Sequence, residues 1–533
     1  MMRHGLTLLV VLLHMPLCFA QLRTTPSKPD ASNEFFGKGM IPKLKIEISK
    51  EEQEKLKQKD RDYVRCTIIE DEKTRYENVG IHLKGAAGSF RPIEDRPALT
   101  LSFDKFKKNQ HFHDLDKLHL NNSVQDGSFM TELLCGELFL ANHVPTPRTT
   151  HARVWLNGRD LGFYVLKEGF NKAFLRRYFE TTSGNLYDGG FLQEIDGDLK
   201  RITGDGPNDR SDLKAIAAAC REPDPEKRWK RVEELVDINT FITFMALEHM
   251  TCHWDGYCQQ RNNYKVYIDS KSRKAYFFPH GMDQMFGDPN YPILHVPGAL
   301  VAGTIMTNPT WRAKYREKMD QLMPFFTPTT KLFARIDEIN KRIQPVIAGI
   351  NKQTENEYLA NMNNLKERIS AREKVLVAQN AIPDPKPFLF DANGIAVVTA
   401  WEERKETDDA VHERVTLPNE PKCLSIKAGP SGQCIASWRS RVILPAGTYR
   451  FAVKAKAEKI EAKTDQQGSG AGIRISGSQR SNKLEGTSDW KLLIYQFTIE
   501  QPQQEVELVA ELRAASGQVL FQTDSMRLVK VKK

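Results

Sequence analysis

Three polar residues flank a short predicted β-hairpin in the middle of the chain. Two β-rich runs, 261–268 and 275–287, flank a charged turn at 270–274. Asp255 and Asn263 lie before the turn, and Asp283 follows it in the sequence Asp-Gln-Met-Phe-Gly. An Asp that orients a hydroxyl, with an Asn and a second Asp that hold a metal ion, is the residue set by which kinases catalyse phosphoryl transfer. A hairpin that ends in ordinary polar turns gives the same pattern, so the stretch alone leaves both interpretations open.

A second candidate group lies where the predicted strand 77–83 delivers Lys84 into a Gly-x-x-Gly-Ser turn. The backbone N–H groups of such a turn, together with one ammonium group, can hold a phosphate. Gly85, Gly88 and Ser89 are therefore candidate phosphate-binding residues beside Lys84. A turn without a ligand is the alternative interpretation, and it is the commoner case for this composition.

Length and composition indicate a chain that buries a large core. Its 533 residues, 40% hydrophobic and 27% charged, predict two or three domains. A mean hydropathy of −0.50, with no long apolar run beyond the N-terminus, predicts that the protein does not span a membrane after signal removal. The formal charge of +9 is spread along the chain and favours anionic partners. No zinc-finger, recognition-helix or RNA-binding pattern accompanies it, so no nucleic-acid partner is predicted.

The N-terminus predicts export. Arg3 precedes the apolar run 6–15, and Ala20 closes a short segment of cleavage-permissive residues, which is the pattern of a secretory signal peptide at 1–20. We therefore expect cleavage after Ala20 and a secreted, periplasmic or cell-surface location. The polar, Pro-containing stretch 21–35 is predicted to be a disordered leader.

Two pairs of cysteines lie close enough together in the sequence to form disulfides. Seven cysteines follow the signal peptide, and Cys423 and Cys434 are close enough in sequence to bridge a hairpin or loop. The odd number requires at least one free thiol in the monomer. Cys252 and Cys258 match no zinc-binding spacing, so a disulfide or simple packing is the expectation there.

The composition changes after a Pro-rich linker at 381–387, and residues 388–533 predict an all-β sandwich. Its predicted strands are short and separated by Gly-containing turns: 441–444, 447–456, 471–476, 491–499, 506–512 and 519–529.

This C-terminal region resembles jelly-roll carbohydrate-binding modules. The resemblance is carried by the stretch 444–451, by Trp490 leading into Tyr495 and Phe497, and by the stretch 517–528. It implies a polysaccharide or cell-surface polymer as a partner, with Trp438 and Trp490 as candidate sugar-stacking residues. A structural or protein-docking module is the alternative.

Residues 43–375 resemble the CotH kinase family, which is named for a spore-coat protein and related to protein kinases by fold. The matching motifs occur in family order: 80–85, 98–103, 118–122 with Asp126 and Ser128, 154–158, 161–164 with Glu168, 254–256, 263–264 with Tyr267, and 279–287. The resemblance implies an α+β domain of atypical protein-kinase-like (CotH) fold over residues 36–380, ahead of the sandwich.

The same resemblance implies ATP-dependent phosphorylation of Ser or Thr hydroxyls on a secreted or surface protein. Asp255 would be the catalytic residue, and Asn263 with Asp283 would bind Mg²⁺ or Mn²⁺. Lys84 would contact the ATP phosphates, with Glu168 as its ion-pair partner.

One position departs from the family pattern. Gly281 stands where the family usually has the first metal-binding Asp, which leaves only Asp283, and residues 257–262 lengthen the loop after Asp255. Two functions therefore stay open: an active kinase, or a catalytically impaired pseudokinase that serves as a surface- or polymer-binding scaffold or adhesin. A secreted hydrolase is disfavoured, because no nucleophile–His–acid set or metalloprotease helix appears in the sequence.

Overall fold

The computed structural model describes residues 31–86, 88–384, 388–416, 422–462 and 468–531, with the side chains of 501–503 left out. The predicted signal peptide, the leader up to residue 30 and the linker residues 385–387 lie outside these ranges. None of the helices in the described ranges combines the length and apolarity that a bilayer span requires.

The prediction of a disordered leader is wrong for residues 31–35. They begin a helix, α1 (Ala31–Gly37), in which Phe35 is buried. The Phe35 ring packs edge-on against Phe112 and stacks on His113 at a centroid distance of 4.8 Å, and the Ala31 N–H donates to Asp114 at 2.8 Å. Burial of this aromatic side chain offsets the entropy lost on ordering the segment.

Seven strands close into a barrel in the order β1-β2-β3-β4-β5-β7-β6. β1 pairs parallel with β6, and the other pairs are antiparallel. Alternating burial along β2 and β5 shows that one face of each strand points into the barrel core. The strands are β1 (Lys43–Glu47), β2 (Val64–Glu70), β3 (Thr74–Lys84), β4 (Ala98–Ser102), β5 (Lys117–Asn121), β6 (Thr149–Leu156) and β7 (Arg159–Glu168).

Two helices accompany the barrel: α2 (Lys50–Gln58) and α3 (Thr131–Ala141). The Asp126 carboxylate precedes α3 and accepts from the Thr131 N–H at 3.0 Å, which satisfies one free donor of the first turn. Asp126 also accepts from the Ser128 N–H at 3.0 Å, which holds the turn that leads into α3.

A second sheet follows, with the antiparallel order β11-β10-β8-β9. Its strands are β8 (Asn185–Asp188), β9 (Lys200–Thr203), β10 (Tyr264–Ile268) and β11 (Ala275–Pro279). β10 and β11 confirm the predicted hairpin, with strands that are shorter than the two β-rich runs of the sequence.

Helices pack around the second sheet in one large apolar core. They are α4 (Lys172–Arg176), α5 (Ser211–Cys220), α6 (Pro225–Leu235), α7 (Ile238–Met250), α8 (Tyr257–Gln260), α9 (Leu300–Thr307), α10 (Pro309–Leu322), α11 (Thr330–Ala348) and α12 (Lys352–Asn380). A 3₁₀ turn, Met323–Phe325, follows α10. Asn351 begins α12 by accepting from the Thr354 N–H at 2.8 Å.

The C-terminal region is a nine-stranded sheet folded over its own apolar core. It contains β12 (Ile395–Val397), β13 (Glu402–Lys405), β14 (Val411–Thr416), β15 (Lys422–Lys427), β16 (Cys434–Glu461), β17 (Gly470–Ile475), β18 (Gly486–Ala514), β19 (Ser516–Gln522) and β20 (Arg527–Lys530), with a 3₁₀ turn at Thr523–Ser525.

Two details of the C-terminal predictions are wrong. Cys423 and Cys434 are separate buried thiols, because Cys423 pairs with Gln522 across β15 and β19 whereas Cys434 lies on β16. Trp438 is fully buried beneath the Arg414 guanidinium and donates its indole N–H into the core, so it cannot stack on a sugar. Trp490 is half-buried.

Candidate functional site

A cleft of about 1340 Å³ lies between the end of the barrel and the loops that flank the β10–β11 hairpin. Six of the eight residues predicted for the site line it: Asp255, Asn263, Asp283, Lys84, Gly85 and Ser89. Gly88 and Glu168 are not among its described lining residues. The structure therefore brings together the residues that the sequence places before and after the hairpin, and adds the end of β3.

Two amide side chains hold the carboxylate of Asp255. Asn262 donates to both carboxylate oxygens at 3.0 Å, and Asn263 donates to Oδ2 at 2.8 Å and to the Asp255 carbonyl at 3.2 Å. These hydrogen bonds fix the orientation of the Asp255 carboxylate in the cleft. Asn262, which the sequence did not single out, therefore shares the positioning of Asp255.

Glu248 holds the loop that carries Asp255 by hydrogen bonds to its backbone. This fully buried carboxylate, on α7, accepts from the Tyr257 N–H at 3.1 Å and the Cys258 N–H at 3.0 Å. Gly256 makes that approach feasible, because a β-carbon there would lie 2.8 Å from Glu248 Cδ. Glu248 is the single acidic residue of the mostly apolar helix α7, which is the sequence signal that could have found it.

Asn263 and Asp283 both line the cleft. The Asn263 amide nitrogen faces Asp255, so its oxygen faces away, toward Gly281. Burial, with a further contribution from the Glu132 carboxylate, raises the pKa of Asp283 to about 6. A cation placed beside such a carboxylate favours its ionised form and lowers its pKa.

The predicted ion pair between Lys84 and Glu168 is wrong. Glu168 lies at the end of β7 and pairs with Arg148 at 3.1 Å and with both terminal nitrogens of Arg177. Although burial alone would raise the pKa of Glu168, Arg177 and Arg148 hold it below its usual range. Glu168 is thus a structural anchor between the barrel and α4.

Lys84 instead contacts the side-chain amide of Asn121, which links it to the carboxylate of Glu132. Its ammonium donates to Asn121 Oδ1, and Asn121 Nδ2 donates to Glu132 Oε2 at 2.6 Å. Glu132, in the first turn of α3, forms a buried ion pair with Lys167 through its other oxygen. Burial lowers the pKa of Lys84 to about 8, with Glu132 opposing the change. Glu132 and Lys167 were missed because nothing local in the sequence links them to Lys84.

The turn after Lys84 uses much of its own hydrogen-bonding capacity. The Ala86 N–H donates to the Ser89 hydroxyl at 3.1 Å, and the Ser89 and Phe90 N–H groups donate to the Ala86 carbonyl at 3.1 and 2.9 Å. Gly85 and Gly88 have φ angles of 103° and 83°, which explains why glycine occupies both positions. Phosphate binding by Gly85, Gly88 and Ser89 stays a prediction.

Proteins with related sequences include three from Rhizopus delemar. Invasin CotH2 is 23% identical over 310 residues, which cover 51% of this chain and 50% of that protein. Invasin CotH7 is 29% identical over 188 residues, which cover 31% of this chain and 32% of that protein. Spore coat protein homolog 1 is 22% identical over 218 residues, 36% of this chain and 35% of that protein. The chain spans about half the length of the first of these relatives.

Solved structures similar to part of this chain include carbohydrate-binding modules. TmCBM61 in complex with β-1,4-galactotriose matches 26% of this chain and 91% of that chain, with 14% identity and a TM-score of 0.18. A CBM4 structure matches 27% of this chain and 95% of that chain, with 15% identity and a TM-score of 0.19.

A family model described as CotH kinase protein matches residues 81–376, which include Lys84, Glu132, Asp255, Asn263 and Asp283. That match covers more than half of the 533 residues. The chain belongs to the CotH kinase protein family.

Proposed function

We propose that this protein is an exported kinase that transfers the γ-phosphate of ATP to Ser or Thr hydroxyls of a secreted or surface protein. The observation that carries the proposal is the cleft itself, where Asp255, held by two amides, shares one cavity with Lys84 and Asp283. A base, an ammonium and a second carboxylate in one cleft are the groups that phosphoryl transfer from a nucleotide requires.

Each residue has a distinct part in this reaction. Asp255 accepts the proton of the acceptor hydroxyl as its oxygen attacks the γ-phosphorus. The bond from that phosphorus to the β–γ bridging oxygen breaks, and ADP leaves. The Lys84 ammonium binds the phosphate oxygens, and it does so without direct neutralisation by a carboxylate.

Two oxygen donors that line the cleft suit Mg²⁺ or Mn²⁺. Asp283 supplies carboxylate oxygens and Asn263 an amide oxygen, and Mg²⁺ in nucleotide sites is usually held by one or two carboxylates plus substrate phosphates. The described residues contain no cluster of three or more His, Cys, Asp or Glu side chains arranged for a metal, so the protein would provide only part of the coordination. The bound ion would neutralise charge on the phosphates.

Calorimetric titration of the mature protein with ATP, in the presence of Mg²⁺ or Mn²⁺, tests the proposal. We expect metal-dependent binding that is lost in Asp283→Ala, and binding with loss of ATP turnover in Asp255→Ala. Asp408→Ala, an exposed residue of the C-terminal region, is the matched control and should change neither. Absence of ATP binding with either metal would contradict the proposal.

Gly281 favours a second candidate function, a pseudokinase that acts as a surface- or polymer-binding scaffold or adhesin. The Asp that the family has at this position is missing here. A side chain at position 281 would overlap Asn263, so the local structure does not accommodate that Asp. Relatives named invasins are compatible with this role. Surface or polymer binding by a protein without nucleotide affinity would support it, with residues 388–533 as the segment to test against polysaccharides.

A further inference from the structure

A second buried ammonium lies close to Lys84 and is not used by the proposed reaction. Lys167, on β7, has no exposed side-chain surface, and Glu132, its partner on α3, has 3%. One Glu132 oxygen accepts from Lys167 and the other accepts from Asn121, which in turn accepts from Lys84. Four side chains from three barrel strands and one helix therefore form a continuous chain of hydrogen bonds that ends at the cleft.

We propose that Glu132 and Lys167 are positioning residues for Lys84: their ion pair fixes Asn121, and Asn121 holds the Lys84 ammonium toward the phosphate site. The inference rests on the proposed function for its purpose, since the ammonium is placed for an anion. It goes beyond that function by assigning roles to three residues that do not touch the reacting atoms.

This arrangement keeps the positive charge of Lys84 available for an anion. A carboxylate in direct contact with Lys84 would compete with a phosphate for the ammonium, whereas the Asn121 carbonyl orients the ammonium without placing a negative charge on it. Lys167 takes up the charge of Glu132, which would otherwise be a buried, unpaired carboxylate close to Lys84. A lysine side chain has many rotamers, so fixing its ammonium in advance also lowers the entropic cost of binding.

Neighbouring elements keep the four residues in register. His119 is paired with Lys167 across β5 and β7, two residues before Asn121 on the same strand. Asp126 holds the first turn of α3 by accepting from Thr131, directly before Glu132. The network therefore depends on strand register and on helix capping.

The charge on Lys84 responds to both members of the pair. Burial is the largest influence on its pKa, which is about 8; the Glu132 carboxylate raises it and the Lys167 ammonium lowers it. Other charged or titratable groups that face Lys84 are Asp283, Lys265, His82, His119 and His280. Removing Glu132 or Lys167 should therefore move the titration of Lys84 in opposite directions.

The test compares Glu132→Gln with Lys167→Met in the full-length mature protein, using Mg²⁺–ATP affinity measured by calorimetry as a function of pH. We expect affinity to fall above pH 8 in the unaltered protein. The midpoint should move by about one pH unit downward in Glu132→Gln and upward in Lys167→Met, as for loss of a nearby charge. Lys167→Arg should restore the original profile. A purely structural role would weaken binding alike at every pH.

Two exposed residues provide matched controls. Glu54 and Lys57 form an ion pair at 2.8 Å on α2, with exposed side chains. Glu54→Gln and Lys57→Met repeat the same substitutions outside the network and should leave the pH profile unchanged.

A second measurement separates this inference from the proposed function. Amine-reactive labelling of Lys84 across a pH series, read by mass spectrometry on the nucleotide-free protein, reports the titration of Lys84 without any ATP. Opposite shifts in the two variants would support the inference even if ATP does not bind. Equal shifts, or none, would overturn it.

If Lys167→Met fails to fold, Asn121→Asp serves the same purpose. It places a carboxylate directly on Lys84, and we expect a higher labelling midpoint together with weaker Mg²⁺–ATP binding at pH 7. An unchanged labelling midpoint would contradict the role assigned to Asn121.

Discussion

Gly281 and Asn263 are packed so closely that no other residue fits at position 281 without displacing the asparagine. A β-carbon built on Gly281 would lie 2.7 Å from Asn263 Cγ and closer still to its oxygen. Both residues have left-handed backbone, with φ of 57° at Gly281 and 47° at Asn263. Asn263 cannot readily move aside, because it donates to Asp255 at 2.8 Å. The conformation of this loop therefore requires glycine at position 281, where the family usually has Asp.

Gly281→Asp, which restores the residue expected from the family, should weaken rather than strengthen Mg²⁺–ATP binding. We expect it to displace Asn263 from Asp255 and to destabilise the protein by more than the cost of left-handed backbone, which is about 1–2 kcal/mol. Gly432→Asp is the control, since Gly432 has φ of 68° and open space around its β-position. Calorimetry and urea unfolding measure the two effects, and tighter metal-dependent binding in Gly281→Asp would refute this account.

Asn262→Ala should slow phosphoryl transfer with little change in ATP affinity. Asn262 donates to both oxygens of Asp255 but lies outside the Lys84 network, so its loss leaves the base misplaced and the nucleotide contacts intact. A misplaced reactive group can cost about 10²-fold in rate. The measurement is ATP turnover beside calorimetric affinity, with Asn361→Ala on the exposed face of α12 as the control. Equal losses of affinity and turnover would contradict the assigned role.

The parts of the site that could be predicted from the sequence are those that lie close together along the chain. Asp255, Asn263 and Asp283 surround one hairpin, and two β-rich runs with a charged turn between them were sufficient to place it. Their convergence needs no knowledge of long-range packing.

The partner of Lys84 could not be predicted in the same way. Glu168 was predicted, but its side chain lies on the wrong side of strand β7. Lys167 and Glu168 are adjacent on β7, so their side chains point to opposite sides of the strand. Lys167 faces Glu132 and the cleft network, whereas Glu168 faces Arg148 and Arg177. Which side meets the cleft depends on barrel closure and on the docking of α3.

The C-terminal strands show a different limit of sequence-based prediction. The predicted strands 441–444 and 447–456 are confirmed as parts of β16, and 491–499 with 506–512 as parts of β18. The register shift between Pro445 and Gly447 lets β16 bend without ending, although Pro and Gly normally mark a strand boundary.

Mg²⁺–ATP affinity should depend on pH as a bell-shaped curve with limbs near pH 6 and pH 8. Metal binding needs ionised Asp283, whose pKa is about 6, and phosphate binding needs protonated Lys84, whose pKa is about 8. Beyond either limb we expect affinity to fall by about tenfold per pH unit. Asp283→Asn, which keeps only an amide oxygen, should bind Mg²⁺–ATP more weakly and its remaining binding should show no acid limb, whereas Asp408→Asn should change neither. A flat profile between pH 5 and 9 would contradict both assignments.

Asp283 also predicts a pH effect on stability in the absence of metal. Its pKa in the folded protein lies above its ordinary value of 3.8, so the ionised form is disfavoured in the fold. Stability should therefore decline as the pH rises through about 6, and Asp283→Asn should unfold at a higher urea concentration than the unaltered protein at pH 8. Added Mg²⁺ should reduce that difference if the carboxylate binds the ion.

Glu168→Gln should destabilise the protein by about 3–5 kcal/mol without a comparable loss of nucleotide affinity, because removing one partner of a buried ion pair leaves the other charge uncompensated. Here two partly buried guanidinium groups, Arg148 and Arg177, would lose their shared carboxylate. The folded-state pKa of Glu168 is lowered, so its contribution is present above its ordinary pKa and is lost as the pH falls through the folded value. Urea unfolding at pH 7 and pH 4 measures both effects.

Glu34→Gln, in an exposed pair with Lys38, is the control and should change stability little. If Glu168→Gln instead abolished ATP binding while leaving stability unchanged, Glu168 would belong to the nucleotide site after all.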